Sequence, residues 1–359
     1  MTVRGGPFPR PLRIAQVAPV AQSIPPARSG SVESVTALLA DGLVEQGHDV
    51  TVFATADSTT RAKLHSVYQQ GYNIDDSMWP WELCELFNLA AAIEHADRFD
   101  VIHYQAEYSP LSLGYDKVCP TPLVHTVHHA PDPTEVGIWS RYPEAPFIAI
   151  SETQARLLNG LNVVATIHHA IDPTMYAFQS RPGDYLVFLG RFTEGKGVLE
   201  AIDIAHRAQT PLVLAAAAND YYRDVVASRV DGRTVTYAGE VVGRKKVELL
   251  RNARALVYPV QHSEPFGLVL IEAMACGTPV TALRRGAVEE IVDDGVTGGM
   301  YASLDAMTAD LPRVMALDRA KVRARAVERF GPARCVERHV AVYSELVKTR
   351  HEASLDAAR

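Results

Sequence analysis

The sequence predicts an α/β protein with two doubly wound domains, each built on a mostly parallel sheet covered by helices. Short apolar runs alternate with segments of helical periodicity along most of the 359 residues, which is the pattern of strands joined by crossover helices. The alternation stops between Ala170 and Asp184, where prolines and a glycine gather, and then starts again. A chain of this length also exceeds what one core of ordinary size holds, so two domains are expected.

The first domain opens with a βαβ unit. Leu12–Ala18 reads as a buried strand, apolar residues then recur at helical spacing until Gly47, and Val50–Ala54 forms the next strand. The elements predicted after this unit are a helix at Trp81–Ala96, strands at Asp100–Tyr104, Leu123–Val127 and Phe147–Ile150, a helix from Glu152, and a strand at Val163–His168.

The second domain repeats the alternation after the interrupted segment. Its predicted strands are Tyr185–Leu189, Leu212–Ala216, Thr234–Ala238 and Ala255–Tyr258. Its predicted helices are Gly197–Arg207, one after Asp220, Lys245–Ala253, one opening near Pro265, and terminal helices at Leu304–Met315, Lys321–Phe330 and Pro332–Lys348.

Composition and charge exclude several classes of function. Residues 1–180 carry a net charge of −9 and residues 181–359 a net charge of +2, so the second half is the better host for a phosphorylated ligand and the first half is a poor surface for nucleic acid. The four cysteines show no metal-ligand spacing. No apolar run approaches the roughly 18 residues that span a bilayer, and a cytoplasmic protein without stable membrane insertion is expected.

The loop after the first strand of the second domain is a candidate anion site. It runs from Gly190 to Gly197, and Arg191 and Lys196 are suited to phosphate oxygens. The spacing does not match a phosphate-binding loop of the GxxxxGK[ST] type. On its own, the pattern fits a plain surface turn equally well.

A second candidate is HSEPFGLVLIEAMACGTPV, residues 262–280, where a helix beginning at Pro265 is expected. The backbone amides of Phe266, Gly267 and Leu268 would then form an anion-binding helix end. Glu264 and Glu272 would lie roughly 80° apart and about 12 Å along the axis. Taken singly, Glu264 could cap the helix and Glu272 could be a solvated residue.

These residues carry a resemblance that covers nearly the whole chain. The sequence resembles the GT-B retaining glycosyltransferases of family 4, whose E-x7-E motif is matched by Glu264 and Glu272. Further matches are GHDVTVFA, DVIH, TVHH, AISE, HHAID, FLGRFTEGKG and GAVEEIVDDGVTG. Within the family it is most similar to a bacterial subgroup that includes a glycosyltransferase of avilamycin assembly.

The resemblance implies a GT-B fold, in which two Rossmann-like domains face each other across a cleft. An acceptor-binding domain is expected at residues 1–175 and a nucleotide-sugar-binding domain at residues 176–330. Residues 331–359 are expected to form a helix that packs back toward the first domain.

The resemblance also implies roles for particular residues of the second domain. Arg191 and Lys196, in the loop that begins at Gly190, would bind the diphosphate of the donor. Glu272 would hydrogen-bond the ribose hydroxyls. Glu264 and the amides of residues 266–268 would face the transferred sugar and the distal phosphate.

Two positions of the first domain receive roles from the same resemblance. His128 would reach toward the reacting sugar, with His129 as the fallback for that role, and Gly30 would allow a close backbone approach to the donor phosphate or the acceptor. Residue 31 is a serine where the family usually has a second glycine. The other histidines near strand ends, His103, His125, His168 and His169, are interpreted as structural.

The function expected from this resemblance is retaining transfer of a hexosyl group from a nucleoside diphosphate sugar to a hydroxyl acceptor. No cofactor and no essential metal are expected, because the sequence contains no Asp-x-Asp. The partners would be the nucleotide sugar and an unknown sugar, oligosaccharide or small-molecule acceptor. The alternatives are a phosphorylase, a nucleotide-sugar epimerase or a non-catalytic nucleotide-sugar-binding protein. A dinucleotide-dependent oxidoreductase is disfavoured, because no GxGxxG follows a strand.

Overall fold

A computed structural model describes residues 11–106 and 109–357 of the chain, and it forms two compact units. The first unit extends to Ala170 and resumes at Pro332, and the second comprises Ile171–Gly331. Contacts therefore divide the chain after Ala170 and after Gly331. The sequence analysis placed these two boundaries after residues 175 and 330. The two parallel-sheet units confirm the predicted α/β fold class.

The first unit contains a seven-stranded parallel sheet in the order β3-β2-β1-β4-β5-β6-β7. The order reverses direction between β1 and β4, and in sheets of this kind ligands bind outside the carboxyl ends of the strands at that point. The strands are β1 Arg13–Val17, β2 Asp49–Phe53, β3 Lys63–His65, β4 Val101–Tyr104, β5 Leu123–Thr126, β6 Pro146–Ala149 and β7 Asn162–Thr166.

Helices cover both faces of this sheet, and one of them is the last helix of the chain. They are α1 Ser31–Glu45, α2 Trp81–Glu94, α3 Ser109–Asp116, α4 Pro133–Trp139, α5 Glu152–Leu157 and α13 Pro332–Ala357. Val336, Val340 and Tyr343 of α13 lie in the core that α1 forms with the sheet. A side chain at Gly42 of α1 would approach a Val336 methyl carbon to 2.6 Å, so the two helices pack closely.

The second unit contains a six-stranded parallel sheet in the order β10-β9-β8-β11-β12-β13, which reverses between β8 and β11. The strands are β8 Leu186–Leu189, β9 Leu212–Ala215, β10 Val235–Tyr237, β11 Ala255–Tyr258, β12 Val280–Leu283 and β13 Gly298–Tyr301. The helices are α6 Val198–Arg207, α7 Gly243–Asn252, α8 Leu268–Ala275, α9 Val288–Ile291, α10 Leu304–Ala309, α11 Leu311–Met315 and α12 Arg319–Phe330.

The segment in which the sequence alternation stops, interpreted as the domain linker, belongs to the second unit from Ile171 onward. The Arg323 guanidinium of α12 donates to the carbonyls of Pro173 (2.9 Å) and Tyr176 (2.5 Å). The buried Arg319 guanidinium donates to the Gln179 carbonyl at 2.6 Å. Proline and glycine stop the helical periodicity in this segment, but its carbonyls are held by two arginines. None of the helices within the described ranges is long and apolar enough to cross a membrane.

Candidate functional site

The loop predicted as an anion site lies at the point where the second sheet reverses. It follows β8, and a short 3-10 turn at Glu194–Lys196 leads into Gly197, which has a φ of 75°. A Cβ at Gly197 would lie 2.0 Å from the carbonyl oxygen of Pro259, just beyond β11. Only glycine fits there, because both the left-handed backbone and the close approach exclude a side chain. Arg191 is exposed at the start of this loop.

Glu264 is a buried carboxylate whose contacts with the described side chains all fall on one oxygen. Its Oε2 accepts hydrogen bonds from Lys196 Nζ and from the Tyr258 hydroxyl, both at 2.6 Å. His262 Nε2 lies 3.7 Å from the same oxygen. Within the described residues no group donates to Oε1, which leaves that oxygen for a ligand hydroxyl. Burial and the Glu264 charge raise the pKa of Tyr258 well above its usual value, so its hydroxyl remains a donor.

Glu272 repeats this arrangement on α8. Its Oε1 accepts from Lys246 Nζ at 2.6 Å and from the Tyr176 hydroxyl at 2.9 Å, while no described group donates to Oε2. Its carboxylate is only 5% exposed. Burial, followed by the Glu272 charge, raises the pKa of Tyr176 and raises that of Cys276 to about 12. Both groups are therefore neutral beside the Glu272 carboxylate.

The helix that follows Glu264 begins later than predicted. Its first residue is Leu268, and Gly267 precedes it in the left-handed region at a φ of 87°, which interrupts helical backbone geometry. Pro265 and Phe266 therefore belong to the preceding loop, and Phe266 is anchored in the core edge-on to Phe330. The predicted separation of the two glutamates along one helix was wrong, because Glu264 lies outside it. The first amides of α8 belong to Leu268 and the residues after it.

Gly286 holds the backbone of Glu264 in place. Its φ is 60°, and a Cβ there would lie 2.3 Å from the Glu264 carbonyl oxygen and 2.4 Å from its nitrogen. The next residue, Ala287, donates its amide to the Glu264 carbonyl at 2.8 Å. This close contact fixes the position from which the Glu264 side chain reaches Lys196.

We expect Gly286→Ala to lower the free energy of unfolding by about 2–4 kcal/mol, since a strained φ and a backbone clash add. The matched control is Gly232→Ala, because Gly232 has a φ of 72° and no atom within 4 Å of the added Cβ. Only the cost of the left-handed backbone, about 1–2 kcal/mol, applies to the control. Urea unfolding measures both variants. Equal losses would show that the contact with Glu264 carries no energy.

The site residues predicted in the first unit lie at the carboxyl ends of its strands. His128 follows β5, its Nε2 lies 2.9 Å from Gln105 Oε1, and its ring stacks on His169 with centroids 5.3 Å apart. Burial lowers the pKa of His128 to about 3, so the ring is neutral at physiological pH. His129 instead lies 3.0 Å from Glu135 and points to the capping box of α4.

Gly30 precedes α1 in extended backbone. A Cβ there would lie 2.4 Å from the Gln22 amide nitrogen and 2.5 Å from a Glu33 carboxylate oxygen. The space beside this glycine is thus occupied by two polar side chains of the chain itself.

Four residues that contact the predicted ones were missed by the sequence analysis. They are Tyr176, Lys246, Tyr258 and Gln105. Lys246 and Tyr176 reach Glu272 from 26 and 96 positions away in sequence, so no local pattern connects them. Tyr258 could have been suspected, since it ends β11 six residues before Glu264. Among the described residues, no cluster of His, Cys, Asp and Glu has the geometry of a metal site.

Two known protein families match different parts of this chain. The family described as glycosyl transferases group 1 matches residues 183–316, and the one described as glycosyltransferase family 4 matches residues 32–175. The crystal structure of AviGT4, a glycosyltransferase involved in avilamycin A biosynthesis, is similar with a TM-score of 0.74 and 27% identity. That match covers 94% of this chain and 98% of the other.

Two curated relatives show the range of chemistry among similar sequences. Alpha-maltose-1-phosphate synthase of Mycobacterium tuberculosis is 34% identical over 167 residues, which is 42% of this chain and 43% of that protein. The chain therefore matches less than half the length of this relative. Phosphatidyl-myo-inositol mannosyltransferase of Mycolicibacterium smegmatis is 28% identical over 89% of each chain.

Proposed function

Because the chain belongs to the glycosyltransferases of family 4 (glycosyl transferases group 1), we propose that it transfers a hexosyl group from a nucleoside diphosphate sugar. The acceptor is a hydroxyl, the anomeric configuration is retained, and no metal ion is essential. The protein acts in the cytoplasm. The observation that carries this proposal is the pair of buried carboxylates, each of which has two donors on one oxygen and none from the described residues on the other.

A nucleotide sugar carries hydroxyls on its ribose and on the sugar that is transferred. Glu264 and Glu272, each beside a lysine, offer one acceptor oxygen to each of these two parts. Lys196 and Lys246 each donate to one oxygen of a glutamate, which leaves the other carboxylate oxygen as an acceptor for the ligand. We assign Glu272 to the ribose hydroxyls and Glu264 to the transferred sugar. A neutral sugar or ribose offers hydroxyl donors to both.

The diphosphate is the part of the donor on which charge develops. Breaking its bond to the sugar leaves a negative charge on the departing oxygen. Lys196 retains two further N–H donors beside the one given to Glu264, and Arg191 stands exposed in the same loop. Together with the amides that open α8, these cations stabilise the leaving group. This is the role that a metal ion fills in metal-dependent transferases.

The acceptor hydroxyl attacks on the same face of the sugar that the diphosphate leaves. Its proton passes to the departing phosphate oxygen, so the bond to the acceptor forms as the bond to the diphosphate breaks. We assign His128 to a hydroxyl of the transferred sugar, because its neutral ring is a hydrogen-bonding group and not a charge.

The proposal is tested by ligand binding and by product analysis in excess EDTA. The correct nucleoside diphosphate should raise the melting temperature, with about 2.7 kcal/mol of stabilisation at 100 times Kd. Glu272→Ala should raise the Kd of that nucleoside diphosphate about 10- to 100-fold, since a hydrogen bond to a charged acceptor is lost. Glu328→Ala is the control, because Glu328 makes only an exposed ion pair with Arg325.

Contrary outcomes separate the parts of this proposal. A Glu272→Ala variant that binds the free nucleoside diphosphate as wild type does would refute the ribose assignment. Loss of turnover in EDTA would refute metal independence. A product without a new glycosidic bond, or with inverted anomeric configuration by NMR, would refute retaining transfer.

A further inference from the structure

A chain of hydrogen-bonded side chains in the first unit connects His128 to the last helix of the protein. His128 Nε2 lies 2.9 Å from Gln105 Oε1, and Gln105 Nε2 donates to Gln16 Oε1 at 3.0 Å. Gln16 Nε2 donates to the Tyr343 hydroxyl at 2.9 Å. From there the contacts continue to His103 Nδ1 at 2.6 Å. The side chains thus join the carboxyl ends of β1, β4 and β5 to α13.

Burial makes the inner bonds of this chain, from Gln105 to His103, obligatory. Gln16, His103 and Tyr343 are fully enclosed and Gln105 is 2% exposed, so water cannot replace a missing partner. A buried polar group without a partner destabilises the fold. Each amide therefore has to be oriented so that a donor always meets an acceptor.

The bonds have one direction, and that direction sets the tautomer of His128. Gln105 presents its amide oxygen, so the proton of His128 lies on Nε2. The Tyr343 hydroxyl accepts from Gln16 and must give its own proton to His103. His103 then carries its proton on Nε2, where Thr126 Oγ1 accepts it at 2.7 Å.

The reverse direction is disfavoured at the end of the chain. It would place the His128 proton on Nδ1, which is buried and has no hydrogen-bond partner among the described groups. Buried N–H groups without an acceptor are rarer in proteins than buried acceptors that lack a donor. In the observed direction His128 Nδ1 is an acceptor to which no described group donates. A cavity of about 20 Å³ bordered by His128, Gln105 and His339 has room for one water.

We propose that Tyr343 is a positioning residue for sugar transfer: through Gln16 and Gln105 it holds His128 in the Nε2–H tautomer. The Nδ1 of His128 is thereby kept as an acceptor for a hydroxyl of the transferred sugar, reached through one water in the adjoining cavity. The sugar contact rests on the proposed function, whereas the tautomer is a property of the unliganded chain. The last helix, which carries no predicted site residue, thus prepares the site of the first unit.

The tautomer is measured by ¹⁵N NMR of the histidine rings in the full-length protein without ligand. The wild type should show His128 and His103 protonated on Nε2. Tyr343→Phe removes the acceptor of Gln16 and the nearer of two donors to His103 Nδ1, the other being Gln105 Nε2 at 3.4 Å. It should give His128 as a mixture of both tautomers. A wild-type His128 protonated on Nδ1, or an unchanged tautomer in Tyr343→Phe, would overturn the proposal.

Kinetics tests the consequence for transfer. Tyr343→Phe should lower kcat about tenfold while the Kd of the nucleoside diphosphate stays unchanged, because the groups assigned to the diphosphate lie in the second unit. Tyr185→Phe is the matched control: it removes a hydroxyl that donates to the Leu249 carbonyl at 2.9 Å and should change neither value. An unchanged kcat in Tyr343→Phe would overturn the positioning role.

Two further results keep the proposal separate from its premise. If Tyr343→Phe does not fold, Gln16→Met breaks the same chain with Tyr343 in place and should give the same mixture of tautomers. If the tautomers behave as stated but no sugar is transferred from any donor, the network is supported and the proposed function is what fails.

Discussion

Replacing Lys196 by methionine should lower turnover about 10²- to 10³-fold, which is the usual loss when one charged or hydrogen-bonding stabiliser of a developing negative charge is removed. The side chain is largely buried, at 18% exposure, and its ammonium lies 2.6 Å from Glu264 Oε2. Methionine fills similar space without the charge. The loss should appear in kcat, because the charge on the departing diphosphate develops only as the bond breaks.

The fold should survive this change, which separates a catalytic role from a structural one. Glu264 keeps the Tyr258 hydroxyl as a donor after Lys196 is lost, so its carboxylate is not left without a partner. Lys321→Met serves as the control, since Lys321 is exposed on α12. A small change in turnover, or a collapse of the melting temperature that accounts for the loss, would assign Lys196 to the structure.

The fold was accessible from sequence because it rests on local patterns, and the candidate site residues were chosen from such patterns too. Strands such as β8 and β11 are short apolar runs, and crossover helices such as α6 show helical spacing, so the alternation predicts the parallel sheets. Glu264 and Glu272 carry a motif with fixed spacing, and the loop at Arg191 directly follows β8.

Two of the elements that were missed, β3 and β13, have weak local signals. β3, Lys63–His65, has only Leu64 as an apolar residue, and it forms because β2 offers an edge to pair with. β13 begins with Gly298 and Gly299, which normally weaken a strand, and it pairs with β12 along its whole length. The start of α8 was predicted at Pro265 because proline favours the first turn of a helix. The left-handed backbone of Gly267 instead makes Leu268 the first helical residue.

Partners distant in sequence were beyond the reach of any local pattern. Lys246 meets Glu272 only because α7 packs beside α8, and Tyr343 meets Gln16 across 327 positions of sequence. The sequence analysis interpreted His103 as structural, and both its ring nitrogens are indeed bonded. Tertiary packing brings the orienting side chains, such as Lys246 and Tyr343, to the candidate site. The residues that identify the site in the sequence, Glu264 and Glu272, belong to a motif.

The first unit should be strongly destabilised in mild acid, because it contains histidines that cannot be protonated in place. His103, His125 and His339 are buried. Burial lowers the pKa of His125 and His339 to about 4 and that of His103 well below its usual value. Each binds a proton only in the unfolded chain near pH 5, so stability rises with pH in this range.

The size of this effect follows from the cited pKa values. A histidine shifted from about 6.5 to about 4 loses about 2 kcal/mol of stabilisation by pH 5, so His125 and His339 lose about 4 kcal/mol together, and His103 adds a loss of the same sign. The loss begins as pH falls below about 6.5 and levels off for His125 and His339 below about 4. This loss is a large part of the stability of an ordinary domain, so strong destabilisation of the first unit near pH 5 is expected. Urea unfolding at a series of pH values measures it.

The substitution His125→Asn tests how much one histidine contributes to the loss of stability in acid. His125 Nδ1 donates to the Pro146 carbonyl at 3.2 Å, and no described group bonds its buried Nε2. His125→Asn can keep a donor toward that carbonyl while it removes the titrating group. The slope of stability against pH between 4 and 6 should then fall by up to about 1.4 kcal/mol per pH unit. His206→Asn, at an exposed position of α6, should leave the slope unchanged. Equal slopes in both variants would mean that protonation of His125 does not drive acid unfolding.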